Sequence, residues 1–599
     1  MLHCAVVAAA AACAGITADA RERPLTLIEN GRSGYSIVIP DDADETVIHA
    51  ADELRNFLEE IGGARLVIVP ESGAPDSPHI FVGPVRKALE LTGAEEYGSL
   101  GAEGFIIRTS GENLFIAGGA PRGTLYGAYT FLEENLGCRW YAPDASLIPK
   151  KDRVIVTGLD VRQAPAFEYR EPFFHHAFDA DWAARNKVNG TRPPLTRKHG
   201  GKIEYSHFVH TFYDLVPPDE YFDEHPEYFA LINGKRTREN AQLCLTNPDL
   251  VGIAAGRVLA WMRENPAAAI FSVSQNDNVF SCQCRRCLES DRLEGSPAGT
   301  LLRFVNAVAA ETAKKHPDKF IDTLAYQYTE RPPLLTKPRP NVIVRLCHMA
   351  PSCDLHQLNR CMWNANYVKN LKAWTKITER VYVWHYVTDF HHYVMPFPDL
   401  KAIVRDIPFY SRQGVRGFFG QGSYESPGGD MAELKAWLIA KLLWNPDADP
   451  DALIRDFVGG YFGAAAPHML DYLAALHEKT RRRNVHANLY SPPTAGFLDR
   501  ELLEYADVCF DRAEKAAADD RTTLDRVRKA RLPLDYVKLA APQLYGWTDA
   551  DLRRGGGQDQ FARFEKFKSD LAYFNITRIK EWEPLEETLD GILARMDNE

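Results

Sequence analysis

Apolar positions along the chain fall into three successive patterns. Between residue 25 and about residue 160, short alternating runs predict strands at LTLIENG and YSIVIP, and buried strands at RLVIVP and HIFVGP. Val47, Ala51, Leu54, Leu58 and Ile61 recur on one stripe, which predicts a helix over 44–61 closed by Gly62-Gly63. EGFIIRTSGENLFIAGG reads as a hairpin turning at Gly111-Glu112-Asn113, and TLYGAYTFLEEN as a second helix. The expectation is a small α/β scaffold domain.

From Phe167 to about Asn445, strand-like runs alternate with helical stretches. The runs are FEYREPFF, EYSHFVHTF, AQLCLTN, AAIFSVSQND, FIDTLAYQY, NVIVRLC, RVYVWHYV and VRGFFGQG. Eight strands with intervening helices over about 280 residues are what a (β/α)8 barrel requires. Beyond Asp451 the pattern is helical almost throughout, as in PDALIRDFVGGYF and HMLDYLAALHEKTRRR. The fold class expected is therefore α/β. It has a small α/β domain over 21–160, a TIM-like barrel over 161–450 and a helical region over 451–599.

The 599 residues are too many for one core, and 45% hydrophobic with 25% charged is an ordinary globular balance. A net charge of -11 without a long basic run argues against nucleic acid and anionic membranes. The N-terminal MLHCAVVAAAAACAGITADA has an apolar run and Ala18-Asp19-Ala20, a small-x-small pattern. It reads as a signal peptide over 1–20, for a periplasmic or secreted protein, with Cys13 as an alternative lipoprotein anchor. Gly555-Gly556-Gly557 is a loop and not a phosphate cradle, because no strand precedes it and no lysine follows.

In a barrel of this kind the chemistry sits at the carboxyl ends of the strands. Those ends offer Arg170, His207, His210, Asn276, Asp277, Tyr328, Glu330, Arg345, Trp384, Tyr386, Gln421 and Glu425. Such a rim suits a polyhydroxylated ring. Aromatic faces pack on C–H surfaces, and amides and charges bond hydroxyls. Cys282, Cys284 and Cys287 lie within six residues of one another. With a fourth ligand from Cys244, Cys347, Cys353, Cys361 or a histidine they suit one tetrahedral, structural zinc. In an exported chain, disulfides among the same cysteines are the alternative. No cofactor is expected for catalysis.

RGTLYGAYTFLEENLGCRWYAPD (122–144) resembles the end of the small domain that precedes the barrel in family 67 α-glucuronidases and family 20 β-N-acetylhexosaminidases. The barrel resembles the bacterial group known as domain of unknown function 4838. The stretches that carry this are HTFYDLVPPDEYFDEHPEYFA, LCLTNPD, SVSQNDN with CQCRRC, and FPDLKAIVRDIPFYSRQGVRGFFGQG. The resemblance implies a glycosidase-like fold. Family 20 has its general acid at the end of strand four, beside a residue that polarises the substrate's N-acetyl group. By that likeness Asp277 is the acid/base and Asn276 the amide holder. Tyr328 then bonds the cyclising oxygen, Trp384 floors the sugar and Arg170 grips ring hydroxyls. Family 20 carries Asp-Glu where this chain has Asn-Asp, although a related endo-acting family uses Asn for the amide. The structural alternative for Asp277 is a turn residue capping the next segment.

The expectation is an exported exo-glycosidase acting on a terminal N-acetylhexosamine of a glycan by substrate assistance. Two rivals stand beside it. One is a two-carboxylate hydrolase, with Glu330 or Glu425 as partner to Asp277 and Arg170 or Arg345 holding a uronic acid. The other is a glycan-binding barrel without catalysis.

Overall fold

A computed structural model describes residues 24–349, 351–545 and 557–598. The leader reading over 1–20, Cys13 and the first two glycines of Gly555-Gly556-Gly557 lie outside the described residues. Among the described residues no helix is long and apolar enough to cross a membrane.

The described residues through Gly137, with Ile148–Gln163, form one compact unit, and Cys138–Leu147 with Ala164 onward form a second. The first unit holds a six-stranded sheet in the order 160–163, 105–110, 113–118, 79–82, 36–39, 68–70. Its long helix, Glu45–Gly62, starts where the Asp44 side chain accepts from the Val47 amide and ends at Gly63, φ 76°. A side-chain cap and a left-handed glycine are the stop signals anticipated there.

The second unit is built on seven parallel strands: β1 (Tyr169–Phe173), β2 (Tyr205–Ser206), β3 (Ile270–Ser272), β4 (Phe320–Ala325), β5 (Val342–Cys347), β6 (Val381–Tyr386) and β7 (Gly417–Gln421). Their order is β1-β7-β6-β5-β4-β3-β2. The two edge strands are bridged by residues 189–191. Asn189 donates its N–H to Arg170 O at 3.3 Å, and Ile203 donates to Asn189 O at 2.8 Å. Thr191 Oγ1 accepts from the Tyr205 amide at 2.8 Å. This irregular stretch occupies the place of a second strand, so β3 is fourth around the wall.

Seven of the eight anticipated strands are in the sheet. AQLCLTN is not; it lies outside the wall, tied by a single bridge between Phe229 and Leu243. The stretch that replaces it, Lys187 to Thr191, begins with a residue at φ 59° and has no apolar alternation to betray it.

Inward-facing residues from six strands fill the cylinder: Tyr169, Tyr205, Ile270, Ile343, Tyr382 and Phe419. Tyr169 stacks on Tyr382, ring centroids 5.7 Å apart. The strand between them carries Gly417, where a Cβ would meet the Tyr382 ring at 2.5 Å. Glycine there lets two large rings meet across a strand. Below the mouth, Arg345 Nη2 donates to Asp322 Oδ2 at 2.8 Å and to Phe208 O at 2.7 Å. Burial pushes Asp322 up to about 6 against the opposing pull of Arg345.

The helical region belongs to the same compact unit. Two of its connections return to the loop after β6: Phe390 donates its N–H to Leu489 O at 2.8 Å, and Glu581 to Phe390 O at 2.9 Å.

Candidate active site

At the carboxyl ends of the strands lies a cavity of about 300 Å³. Its walls include Phe173, Phe208, Trp384 and Phe419 from the barrel, and Tyr490, Glu581 and Trp582 from the helical region. A cleft of about 640 Å³ shares Tyr424 with it, and two still larger clefts, about 780 and 740 Å³, stand elsewhere. The larger is lined by charges that pair with one another, such as Arg531 and Lys538 with Asp507. The strand-end cavity is the one with apolar walls and a few convergent polar groups, the usual form of a small-ligand site.

Asp277 lines this cavity, and its neighbours hold it from two sides. Gln275, fully buried, donates Nε2 to Thr329 Oγ1 at 2.7 Å in the turn after β4. The Gln242 amide donates to the carbonyls of Asn276 and Asn278 at 2.9 and 2.8 Å, and its Oε1 accepts from the Asn276 amide. Between these clamps the Asp277 side chain is exposed, and Tyr326 donates its hydroxyl to Oδ1 at 2.9 Å. His210, at φ 57°, also lines the cavity. Its Nδ1 donates to Gln275 O at 2.7 Å, which leaves Nε2 as the unprotonated nitrogen of the neutral ring.

A second carboxylate lines the cavity, Glu581. Burial pushes it up to about 7; the nearby Glu425 charge adds to this, and bonds from Tyr424 and Gln421 oppose it. Gln421, at the end of β7, accepts from Trp384 Nε1 at 2.9 Å and donates to Glu581 Oε1 at 3.1 Å. Trp384 is the centre of the floor, edge-on to Phe419 at 4.8 Å and above the Arg345 guanidinium at 5.1 Å. At the rim, Tyr490 and Trp582 are 42% and 73% exposed, which leaves aromatic faces open to a ligand.

Of the anticipated residues, the structure brings His210, Asp277, Trp384, Tyr386 and Gln421 together in the cavity. The rest stand elsewhere. Arg170 faces outward from β1: it donates to Lys187 O and Phe167 O and lies 5.4 Å from the Trp444 ring. Period two puts Tyr169 and Glu171 inside and Arg170 outside. His207 stacks on Trp261 at 3.7 Å. Tyr328 is not among the lining residues; Tyr326, two positions earlier, is. Arg345 is consumed beneath the floor by Asp322. Asn276 donates Nδ2 to Ala241 O at 2.8 Å. Glu330 accepts from Asn370 Nδ2 at 2.8 Å, and Glu425 accepts from the Trp582 amide at 3.0 Å. Glu581, Trp582 and Tyr490 went unread because they come from the helical region, where barrel logic does not look.

Beside the Asp277 loop, Cys244, Cys282, Cys284 and Cys287 place their sulfurs within 4.8 Å of one another. The Cys244 sulfur stands 3.6 Å from Cys284 and 3.9 Å from Cys287. Those separations are too long for a disulfide, about 2.05 Å. They match the edge of about 3.8 Å expected for four thiolates at about 2.3 Å around one zinc. The Leu231 amide and the Arg236 guanidinium donate to Cys282 Sγ at 3.3 and 3.6 Å. The donor set fits a closed metal site with Cys244 as its fourth ligand.

Residues 140–474 match the family described as domain of unknown function (DUF4838), and residues 29–131 match the glycosyl hydrolase family 67 N-terminus. The chain belongs to the DUF4838 family. No curated protein matches it. Among solved structures, this DUF4838 protein is similar to a family GH115 4-O-methyl-α-glucuronidase with specificity for decorated arabinogalactans. That likeness has a TM-score of 0.59 at 14% identity, over 95% of this chain and 80% of that one. It is similar to a GH138 enzyme targeting pectin rhamnogalacturonan II, TM-score 0.52 at 11% identity, over 94% and 98%. It is also similar to a GH89 protein from Clostridium perfringens in complex with its substrate GlcNAc-α-1,4-galactose, TM-score 0.51 at 12% identity, over 88% and 65%. The DUF4838 chain thus shares its fold with glycoside hydrolases.

Proposed function

We propose that this DUF4838 protein is a glycoside hydrolase that removes a terminal neutral sugar from a glycan, with Glu581 as general acid and Asp277 as the second carboxylate. One observation carries the reading: both carboxylates line a single aromatic cavity at the carboxyl ends of the barrel strands. Their surroundings differ in the way that separates acid from base. Glu581 is desolvated and pushed up to about 7, so it holds a proton near neutrality and can deliver it to the glycosidic oxygen. Asp277 is exposed and accepts from Tyr326, so it is placed to act on the anomeric carbon or on the attacking water.

The cavity volume, about 300 Å³, lies at the lower end of the range for small-ligand sites and suits one ring. Among its described lining residues there is no Arg or Lys to pair with a uronate carboxylate. Leu324, Cys347 and Met349 form an apolar wall that would accept an acetamido methyl, which favours N-acetylhexosamine among the neutral sugars. Substrate assistance with Asn276 as the amide holder is the weaker mechanism, since Asn276 spends its amide on Ala241. Export is part of the reading and rests on the N-terminal apolar run. So is a structural zinc at Cys244, Cys282, Cys284 and Cys287, which would pin the loop carrying Asp277.

A panel of 4-nitrophenyl N-acetylhexosaminides, hexosides and glucuronides tests the reading. Turnover of a neutral glycoside above the glucuronide is expected. A preference for the glucuronide would overturn the neutral-sugar assignment. Calorimetric binding of glycans without turnover of any would favour a non-catalytic barrel.

A further inference from the structure

Away from the cavity, Cys353, His356, Cys361 and His486 bring one ligand atom each to within 4.8 Å of the others. We propose that these four side chains form a second zinc site, which fastens the loop after β5 to the segment that delivers Tyr490 to the cavity rim.

The chemistry of the set points to zinc. Two thiolates and two imidazoles are a borderline-soft donor set, and tetrahedral S2N2 is the arrangement zinc takes in closed structural sites. His486 has one ring nitrogen engaged by backbone, as a metal-bound imidazole does. Its Nδ1 donates to Asn484 O at 3.0 Å, which leaves Nε2 as the lone-pair nitrogen. The sulfur side is held through its backbone. Asn364 clamps the Cys353 peptide, accepting from its N–H and donating to its carbonyl, both at 2.8 Å. Binding Zn2+ would release the two thiol protons to solvent and need no other reactant.

The position gives the site its purpose. Cys361 and His486 come from distant parts of the sequence, and the two segments are already joined where Asp354 donates its N–H to Ala487 O at 2.9 Å. Four residues past His486, Tyr490 lines the cavity beside Met349 and Phe390. A cation here would hold the rim in register with the barrel. It shares no ligand with the four-cysteine cluster and does not depend on the glycosidase reading.

The test is a zinc count by mass spectrometry on the reduced full-length protein after loading with zinc and desalting. His486→Ala and Cys361→Ser should each carry one zinc fewer than the wild type, and His486→Cys should restore it. Circular dichroism identifies any variant that has unfolded. Loaded with Co2+, a Cys282→Ser/Cys287→Ser protein should keep the visible bands of a tetrahedral cobalt-thiolate site, and adding His486→Ala should abolish them. Equal zinc in wild type and His486→Ala would overturn the proposal. So would a Cys353–Cys361 disulfide in the protein as first isolated.

Discussion

Gln421 donates its Nε2 hydrogen to Glu581 Oε1 across 3.1 Å, joining the end of β7 to a carboxylate 160 positions later. The same amide accepts from Trp384, so one side chain orients both the aromatic floor and the proposed acid. Removing the amide should therefore act on the acid first. The Gln421 bond holds the Glu581 carboxyl down, so Gln421→Leu should move the alkaline limb of the kcat profile to higher pH. An unmoved limb would mean that Glu581 is not the group titrating.

Glu581 also ties pH to stability. Its carboxyl rises from 4.5 to about 7 on folding, so between those values the folded chain binds more protons than the unfolded one. The contribution of Glu581 is thus fully present below about pH 4.5 and is lost as pH rises toward 7. Glu581→Gln removes this contribution. Urea midpoints at pH 5 and pH 8 should lie closer together in the variant than in the wild type.

Tyr326→Phe deletes the hydroxyl that Asp277 accepts. A hydrogen bond to a charged group is worth about 1.5–3 kcal/mol, so kcat/KM should drop about tenfold to a hundredfold. Thermal melting should change little, because Asp277 is exposed.

Arg345 and Asp322 are 1% and 0% exposed inside the barrel. Leaving either charge alone there should cost about 3–5 kcal/mol by urea denaturation. Replacing both, as in Asp322→Leu/Arg345→Met, should recover part of that loss. If Arg345→Met is harmless, the pair does not hold the floor.

Cys287→Ser opens the four-cysteine cluster beside the Asp277 loop. Cys244 lies two residues after Gln242, whose amide clamps Asn276 and Asn278. Losing the proposed zinc should release that clamp, so the variant should carry less zinc and show a lower kcat with its far-ultraviolet spectrum unchanged.

The barrel was legible in the sequence because β3 to β7 are short, largely apolar runs bounded by polar strand ends, which is how buried parallel strands read. AQLCLTN misled because Ala241 and Cys244 are buried, yet against a side cluster rather than the wall. The true eighth position, 187–191, is held by single backbone bonds and by Thr191 Oγ1, a pattern without period. Asp277 could be found from its place after a strand. Arg170 could not be rejected without the inward register of Tyr169, since a one-residue shift exchanges the two faces. Glu581 and Trp582 were beyond reach, for nothing in a helical stretch says which connection folds back over a distant cavity.

The central claim is tested most directly by the rates of Asp277→Asn, Glu581→Gln and the double variant on the best neutral aryl glycoside. The account predicts a fall of about 10²–10⁴-fold in kcat for each single change. The double variant should be little worse than the poorer single one, as expected of groups that work as a unit. Either single variant turning over at the wild-type rate would contradict the claim.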